Sequence, residues 1–244
     1  MKVDINCDVG EGLDNEAQLL PYISSCNIAC GAHAGDTDTI TKVALLAKEH
    51  HVKVGAHPSY PDRANFGRVA ITISREALKE SIQSQLRTFQ KIMVSNAVQL
   101  NHIKPHGALY NVLATDVDTA QTFLEAIKEY KKEVALYVPY NSIIEKEAQQ
   151  KGFKIIREGF CDRNYNDDLT LVSRKKEKAL ITQPNEVLKH VLRIIKEEAV
   201  ETVSGKLIKM KANTFCIHGD SPNAVKILRH LYSELPKNHI NIDK

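Results

Sequence analysis

The sequence predicts a closed barrel of alternating β-strands and α-helices. Three observations carry that expectation. Seven short, β-branched runs alternate with helical patterns along the chain. Two of those runs are polar on one face and apolar on the other. Four of the ten histidines sit at strand ends, in ACGAHAGD (29–36), GAHPSYPD (55–62), KPHGALY (104–110) and CIHGD (216–220). In parallel α/β proteins the carboxyl ends of the strands carry the active site, so polar residues recurring there point to one shared cleft and to an enzyme.

The strand candidates are Val3 to Cys7, Asn27 to Cys30, Val52 to Ala56, Leu100 to Lys104, Val134 to Val138, Phe153 to Glu158 and Thr214 to His218. Between them Leu78, Ile82, Leu86, Phe89 and Met93 recur at helical spacing, as do Leu188, Val191, Leu192, Ile195 and Ala199. Ser74, Gln183-Pro184 and Ser221-Pro222 mark helix starts. Strands separated by helices pair in parallel, each crossover covering one face of the sheet. Side chains alternate along a strand, so Asp4, Asn6 and Asp8 share one face and Val3, Ile5 and Cys7 the other. His102, Lys104 and His106 likewise oppose Ile103 and Pro105. An open sheet covered on both sides needs two apolar faces. A barrel with a polar interior and helices outside needs one, and the count favours seven strands. With no linker and no internal repeat, residues 1–244 are read as one barrel domain.

Composition excludes several functions. Hydrophobic residues make up 43% and charged residues 26%, ordinary for a soluble chain with a sizeable core. The 33 basic and 30 acidic residues are scattered, apart from the run Lys175, Lys176, Glu177, Lys178, so no basic stripe suits nucleic acid. No segment is apolar enough to span a bilayer, and the amino terminus lacks a signal-peptide core, which predicts a cytoplasmic protein. Five cysteines (Cys7, Cys26, Cys30, Cys161, Cys216) without a CxxC pair predict reduced thiols.

Asp4, Asp8 and Glu11 put three carboxylates on the first strand and its exit turn. An unpaired buried carboxylate costs several kcal/mol, so these are either paired or functional. Asp8 is read as functional, Asp4 as functional or as a salt-bridged barrel floor, and Glu11 as functional or as a turn acceptor. His33 lies in a glycine-flexed loop ending at Asp36, itself a site residue or a helix N-cap. Cys30 reads as packing, with a histidine-activated nucleophile as the alternative. His57 opens a proline-rich loop that reaches Arg68, a surface arginine or a clamp for a substrate carboxylate. Lys104 and His106 set a fixed positive charge beside a group titrating near neutrality. Glu158, Asp162 and Arg163 form a further strand end, and His218 closes the set beside Asp220, a residue that could equally cap the next helix. There is no G-x-x-x-x-G-K-[ST], no GxGxxG and no GxSxG, which argues against a phosphate loop, a dinucleotide fold and a serine-hydrolase elbow. His102 and His106 lie about 13 Å apart on a strand, too far to share one ion. A divalent metal held by Asp8, His33, His57 and His106 across strands stays open beside a metal-free acid-base site, because no spacing forces ligation.

Together the motifs D-x-N-x-D-x-G-E, N-I-A-C-G-x-H-A-G-D, G-A-H-P-S-Y-P-D with F-G-R, K-P-H-G-A-L-Y, E-G-F-x-D-R-x-Y and H-G-D resemble the LamB/YcsF family, from Asp4 to about Leu231. The resemblance implies a seven-stranded β/α barrel related to glycoside hydrolases and deacetylases. It also implies ATP-dependent opening of 5-oxo-L-proline to L-glutamate, with ATP as co-substrate used by two partners, 5-oxoprolinase subunits B and C, related to allophanate hydrolase. On that scheme Asp8 or His106 activates water and Lys104 steadies the oxyanion or departing phosphate. His218 and Glu158 complete the catalytic set. Asn6, Glu11, His33, His57, Tyr110 and Asp162 line the substrate site, and Arg68 or Arg163 holds its carboxylate. Two stretches depart from the family's pattern: Leu13-Asp14-Asn15, and Asn166-Asp-Asp-Leu-Thr-Leu, where relatives place a glycine after the acidic residue. The rival readings are a metal-dependent deacetylase or other amidohydrolase, and a non-catalytic subunit that binds a lactam or sugar.

Overall fold

Seven parallel strands close on themselves in the computed structural model, which describes residues 1–244: β1 (Lys2–Val9), β2 (Ser25–Ala29), β3 (Lys53–His57), β4 (Leu100–Ile103), β5 (Ala135–Pro139), β6 (Ile155–Phe160) and β9 (Thr214–His218). The ring is sealed where β1 pairs with β9, Asp4 opposite Thr214 through Asp8 opposite His218. Two further strands, β7 (Ala199–Glu201) and β8 (Leu207–Lys209), form an antiparallel hairpin, and β10 (Asn241–Ile242) adds beside the start of β1. All seven expected strands form, with ends displaced by a residue or two. His106 lies beyond β4 in extended backbone, as the residue that precedes the next helix.

Eight helices flank the ring: α1 (Glu16–Leu19), α2 (Thr37–Glu49), α3 (Arg75–Ser95), α4 (Gly107–Thr115), α5 (Val117–Ala126), α6 (Ile143–Gln150), α7 (Pro184–Glu197) and α8 (Ala224–Lys237). Outward-facing strand residues such as Ile5, Ile28 and Val54 pack under them in one continuous apolar cluster. Helix α3 adds Leu78, Ile82, Leu86, Phe89 and Met93 to that cluster, each burial contributing about 1.5–3 kcal/mol. Ser74 caps α3 by accepting from the Ala77 amide at 3.2 Å, and Asp36 caps α2 by accepting from Thr39 at 2.8 Å. Pro184 begins α7 as its sequence signal implies. Ser221-Pro222 does not begin α8. That helix starts three residues later, after Asn223 in the left-handed region, because the Ser221 hydroxyl is bonded to Asp162 instead.

The barrel interior carries polar side chains from floor to mouth. At the floor Asp4 Oδ1 accepts from Ser25 Oγ (2.8 Å) and Thr214 Oγ1 (2.6 Å), and Lys53 Nζ lies 3.6 Å from Oδ2, which makes Asp4 the salt-bridged floor. One level up, His102 stacks on Tyr137 with ring centroids 4.0 Å apart, and its Nε2 donates to Asn27 Oδ1 at 2.6 Å. Gly55 makes room for that ring: a Cβ there would stand 2.1 Å from His102 Nε2.

Candidate active site

Above His102, the mouth end of the barrel is organised around Lys104. Its ammonium lies 2.9 Å from Asp8 Oδ1 and 3.0 Å from Glu158 Oε1, and it donates to Cys216 Sγ at 3.0 Å. Asn27 and Asn6 tie the cluster together: Asn27 Nδ2 donates to both Asp8 Oδ1 and Asn6 Oδ1 at 2.7 Å, and Asn6 Nδ2 to Glu158 Oε1 at 3.0 Å. All of these side chains are buried. Burial opposes the charge on Lys104, but the carboxylates of Asp8 and Glu158 overcome it and hold the ammonium well above the usual lysine range. Burial likewise opposes ionisation of Asp8, yet His57 and Lys104 hold its carboxyl well below the usual range. The Asp8 carboxylate and the Lys104 ammonium are thus kept charged at the inner end of the cavity, where removing a single partner of a buried ion pair costs about 3–5 kcal/mol.

Four of the sequence-selected residues meet beside that cluster. His57 Nδ1 donates to the Lys104 carbonyl at 2.7 Å, and its Nε2 lies 3.4 Å from Asp8 Oδ2 and 3.0 Å from His106 Nδ1. His106 Nε2 donates to the Phe66 carbonyl at 2.9 Å. Glu11 Oε1 is 3.4 Å from His106 Nδ1 and 3.3 Å from His33 Nε2, and the His33 and His106 rings stack at 3.7 Å. Burial first, and neighbouring His57 with it, pulls His106 well below the usual histidine range; His33 is lowered by burial as well. The K-P-H-G turn allows this approach. Gly107 has φ +56°, and a Cβ on it would lie 2.6 Å from the Gly67 carbonyl, the group that accepts from the Ala108 amide.

On the opposite wall Asp162 accepts from both the amide and Nδ1 of His218, the latter at 3.0 Å, and from Ser221. Burial would raise the Asp162 carboxyl, but His218 and Ser221 lower it below its usual range. His218 Nε2 has no protein partner, and the ring lies over Phe160 and lines the cavity. The cavity measures about 550 Å³ and reaches from the Lys104 cluster to a rim of Arg68, Arg174 and Lys175. Arg68 and Arg174 both pair with Asp220, so Asp220 is no helix cap. Tyr110 OH and Glu158 Oε2 are buried with no hydrogen-bond partner in the protein but each other. Arg163 also lines the cavity, but its guanidinium donates to the carbonyls of Val172 (2.7 Å) and Ala179 (3.4 Å) and so holds the 164–182 loop in place. In that loop the departing stretch folds back on itself through the Tyr165–Leu171 bridge. Leu169 adopts φ +66°, a conformation that costs an L-residue about 1–2 kcal/mol.

Two groups of side chains have donor atoms close enough to share a cation: Asp8, Cys216 and His218, and Glu11, His33 and His106. The first already holds a cation, the Lys104 ammonium. In the second the His33 and His106 rings are stacked parallel, so one ion cannot lie in both ring planes. The four-residue set read from the sequence is split: His33 and His106 fall with Glu11, Asp8 falls in the other group, and His57 lies between them. Cys216, Asn27 and Arg174 were missed as site residues. Cys216 alternates with Thr214 and His218 along one strand face, a period that could have flagged it; Arg174 sits in an irregular loop with no such signal.

Fold and site define a parallel β/α barrel whose strand ends carry one titratable, charged cavity. The chain belongs to the LamB/YcsF family, whose profile matches residues 3–244. It is 40% identical over 247 residues to the A subunit of 5-oxoprolinase from Staphylococcus aureus, covering 99% of each chain, and 37% identical over 249 residues to that of Pyrococcus abyssi, covering 99% of this chain and 97% of the relative. The lactam utilization protein of Thermus thermophilus superposes with a TM-score of 0.92 at 33% identity, covering 100% of this chain and 99% of the other. A GH113 β-1,4-mannanase shares the fold at a TM-score of 0.51 and 13% identity, over 96% and 99% of the two chains. No helix is long and apolar enough to cross a membrane.

Proposed function

We propose that this chain is the A subunit of an ATP-dependent 5-oxoprolinase and that its cavity opens the activated lactam to L-glutamate. The substrate comes from the names of full-length relatives at about 40% identity. The observation that carries a catalytic role is the Lys104 ammonium held between Asp8 and Glu158 at the closed end of the cavity. A five-membered lactam fills only part of about 550 Å³, which leaves room for a phosphoryl group. ATP is used by partner subunits B and C, in keeping with a chain that carries no phosphate loop.

In this reading the partners transfer the γ-phosphoryl group of ATP to the lactam oxygen, releasing ADP. One water adds to the ring carbonyl carbon and the C–N bond breaks, a water proton passing to the departing nitrogen; a second water cleaves the acyl phosphate so formed, releasing phosphate and the glutamate carboxylate. His218 is the base. Asp162 fixes its Nδ1 and leaves Nε2 facing the cavity, whereas both oxygens of Asp8 and both nitrogens of His106 are engaged within the protein. Lys104 stabilises the oxyanion or the departing phosphate. Arg68 and Arg174 outnumber Asp220 at the rim and attract the substrate carboxylate. His218→Asn, assayed for glutamate from 5-oxoproline and ATP in the presence of the partners, is expected to lose about 10²–10⁴ in turnover with a small change in KM. Turnover equal to wild type removes His218 from this role, and glutamate formed by the chain without partners removes their part in activation.

A further inference from the structure

Arg163 is a buried cation with no counter-ion. Only 6% of the residue is exposed, and its Nε and Nη2 donate to the carbonyls of Ala179 (3.4 Å) and Val172 (2.7 Å). The carboxylates nearby in the fold are committed elsewhere: Asp162 accepts from His218 and Ser221, and Asp220 pairs with Arg68 and Arg174. A guanidinium has five N–H donors, so the two carbonyls use one edge of the fork. Both hydrogens of Nη1 and one of Nη2 are left without a protein acceptor. Arg163 lines the cavity, where a ligand can reach that free edge. Burial, then repulsion from Arg174, pulls its ionisation below the usual arginine range, yet a guanidinium stays protonated in proteins. Tying two carbonyls together needs no charge. Burying one is costly unless an anion completes it.

We propose that the free edge of Arg163 is a phosphoryl subsite, which takes the phosphoryl group of the activated lactam in two-point fashion and then the inorganic phosphate released from it. The identity of the phosphoryl carrier rests on the lactam reading, while an anion subsite at Arg163 does not. An O-phosphorylated 5-oxoproline carries two anionic groups, its carboxylate and its phosphoryl. Arg68 and Arg174 at the rim meet the first. Arg163 meets the second, on the same wall as the base, because the residue before it is the Asp162 that holds His218. Arg174 adds a second positive field at Arg163, which suits a doubly charged phosphoryl better than a single carboxylate. Lys104, already paired with Asp8 and Glu158, is then left to the oxyanion, and the phosphate departs on Arg163.

The test uses the full chain, titrated with inorganic phosphate at constant ionic strength in the absence of lactam, ATP and partners, and followed by calorimetry. Saturable binding of a single phosphate per chain is expected. Arg163→Gln should weaken it about 10-fold or more, the loss that follows removal of a charge-assisted two-point contact. Arg174→Gln leaves the bonds to Val172 and Ala179 in place and should weaken it less, about 3-fold, through the lost field alone. That second variant carries the test if thermal unfolding shows that Arg163→Gln does not fold. No saturable binding to wild type, or affinity unchanged in the folded variants, overturns the subsite. Added 5-oxoproline should not compete with phosphate, since its carboxylate belongs at the rim; direct competition gives Arg163 to the substrate carboxylate and overturns the phosphoryl assignment. Phosphate binding as expected, in a chain whose full assembly forms no glutamate, sinks the lactam reading and leaves the anion subsite standing.

Discussion

The floor and the mouth of the barrel are built from the same residue types, yet they are finished differently. At the floor Asp4 is answered by two hydroxyls and Lys53, and His102 by Asn27 and a stacked Tyr137. At the mouth His33 Nδ1 is buried with no partner, and Glu158 Oε2 and Tyr110 OH have nothing in the protein but each other. Buried polar atoms are nearly always satisfied, so unsatisfied ones mark places where something outside the chain completes the set. Both ends carry buried charge, but only one leaves polar atoms free for a ligand.

The sharpest way to break that comparison is at Lys104. Lys104→Met leaves Asp8 and Glu158 as facing buried carboxylates and should cost about 3–5 kcal/mol in denaturant unfolding, together with glutamate formation. Stability within about 1 kcal/mol of wild type would mean that the cluster relaxes like an ordinary surface network.

A somewhat smaller effect is expected at His102. Burial, then Lys104, lowers its pKa to about 3 in the folded state, against roughly 6.5 unfolded. The unfolded chain therefore binds the extra proton first. The stability tied to the neutral ring is complete above about pH 6.5, falls as the pH drops, and is fully lost only below about 3. By about pH 4 this one group should remove on the order of 3 kcal/mol, and His102→Gln should flatten that part of the stability profile. An unchanged slope in the variant would show that His102 is not the group being protonated.

The smallest effect belongs to Asp4→Asn. Burial raises the pKa of this carboxyl despite its hydroxyl partners, so the amide should change stability by only about 1 kcal/mol and leave turnover alone. Loss of turnover would erase the division between floor and mouth.

Much of this molecule was legible before folding was considered. Strand positions, α3 and α7, the polar faces of β1 and β4, and the Asp36 and Ser74 caps follow from local rules: a period of two, a period near 3.6, and hydroxyl or carboxylate oxygens meeting free helix amides. The salt-bridged reading of Asp4 was also within reach. Asp220 misled because a carboxylate before Ser221-Pro222 looks like a cap, whereas it meets two arginines from loops far away in sequence. Ser221 misled for the same reason, since Asp162 claims its hydroxyl across 59 residues of chain.

The sequence by itself determined a parallel barrel with a polar interior and the set of strand ends that carry its chemistry, because side-chain alternation is a property of each strand alone. Only the tertiary structure decided which polar groups meet. Closure of β1 on β9 sets His218 opposite Asp8 and brings Cys216 to Lys104, and the turn at Gly107 lets Phe66 anchor His106. The approach of the loop after β1 to the loop after β2 joins Glu11 to His33. Those pairings depend on register, ring closure and loop paths between residues distant in the chain, and no local pattern encodes them.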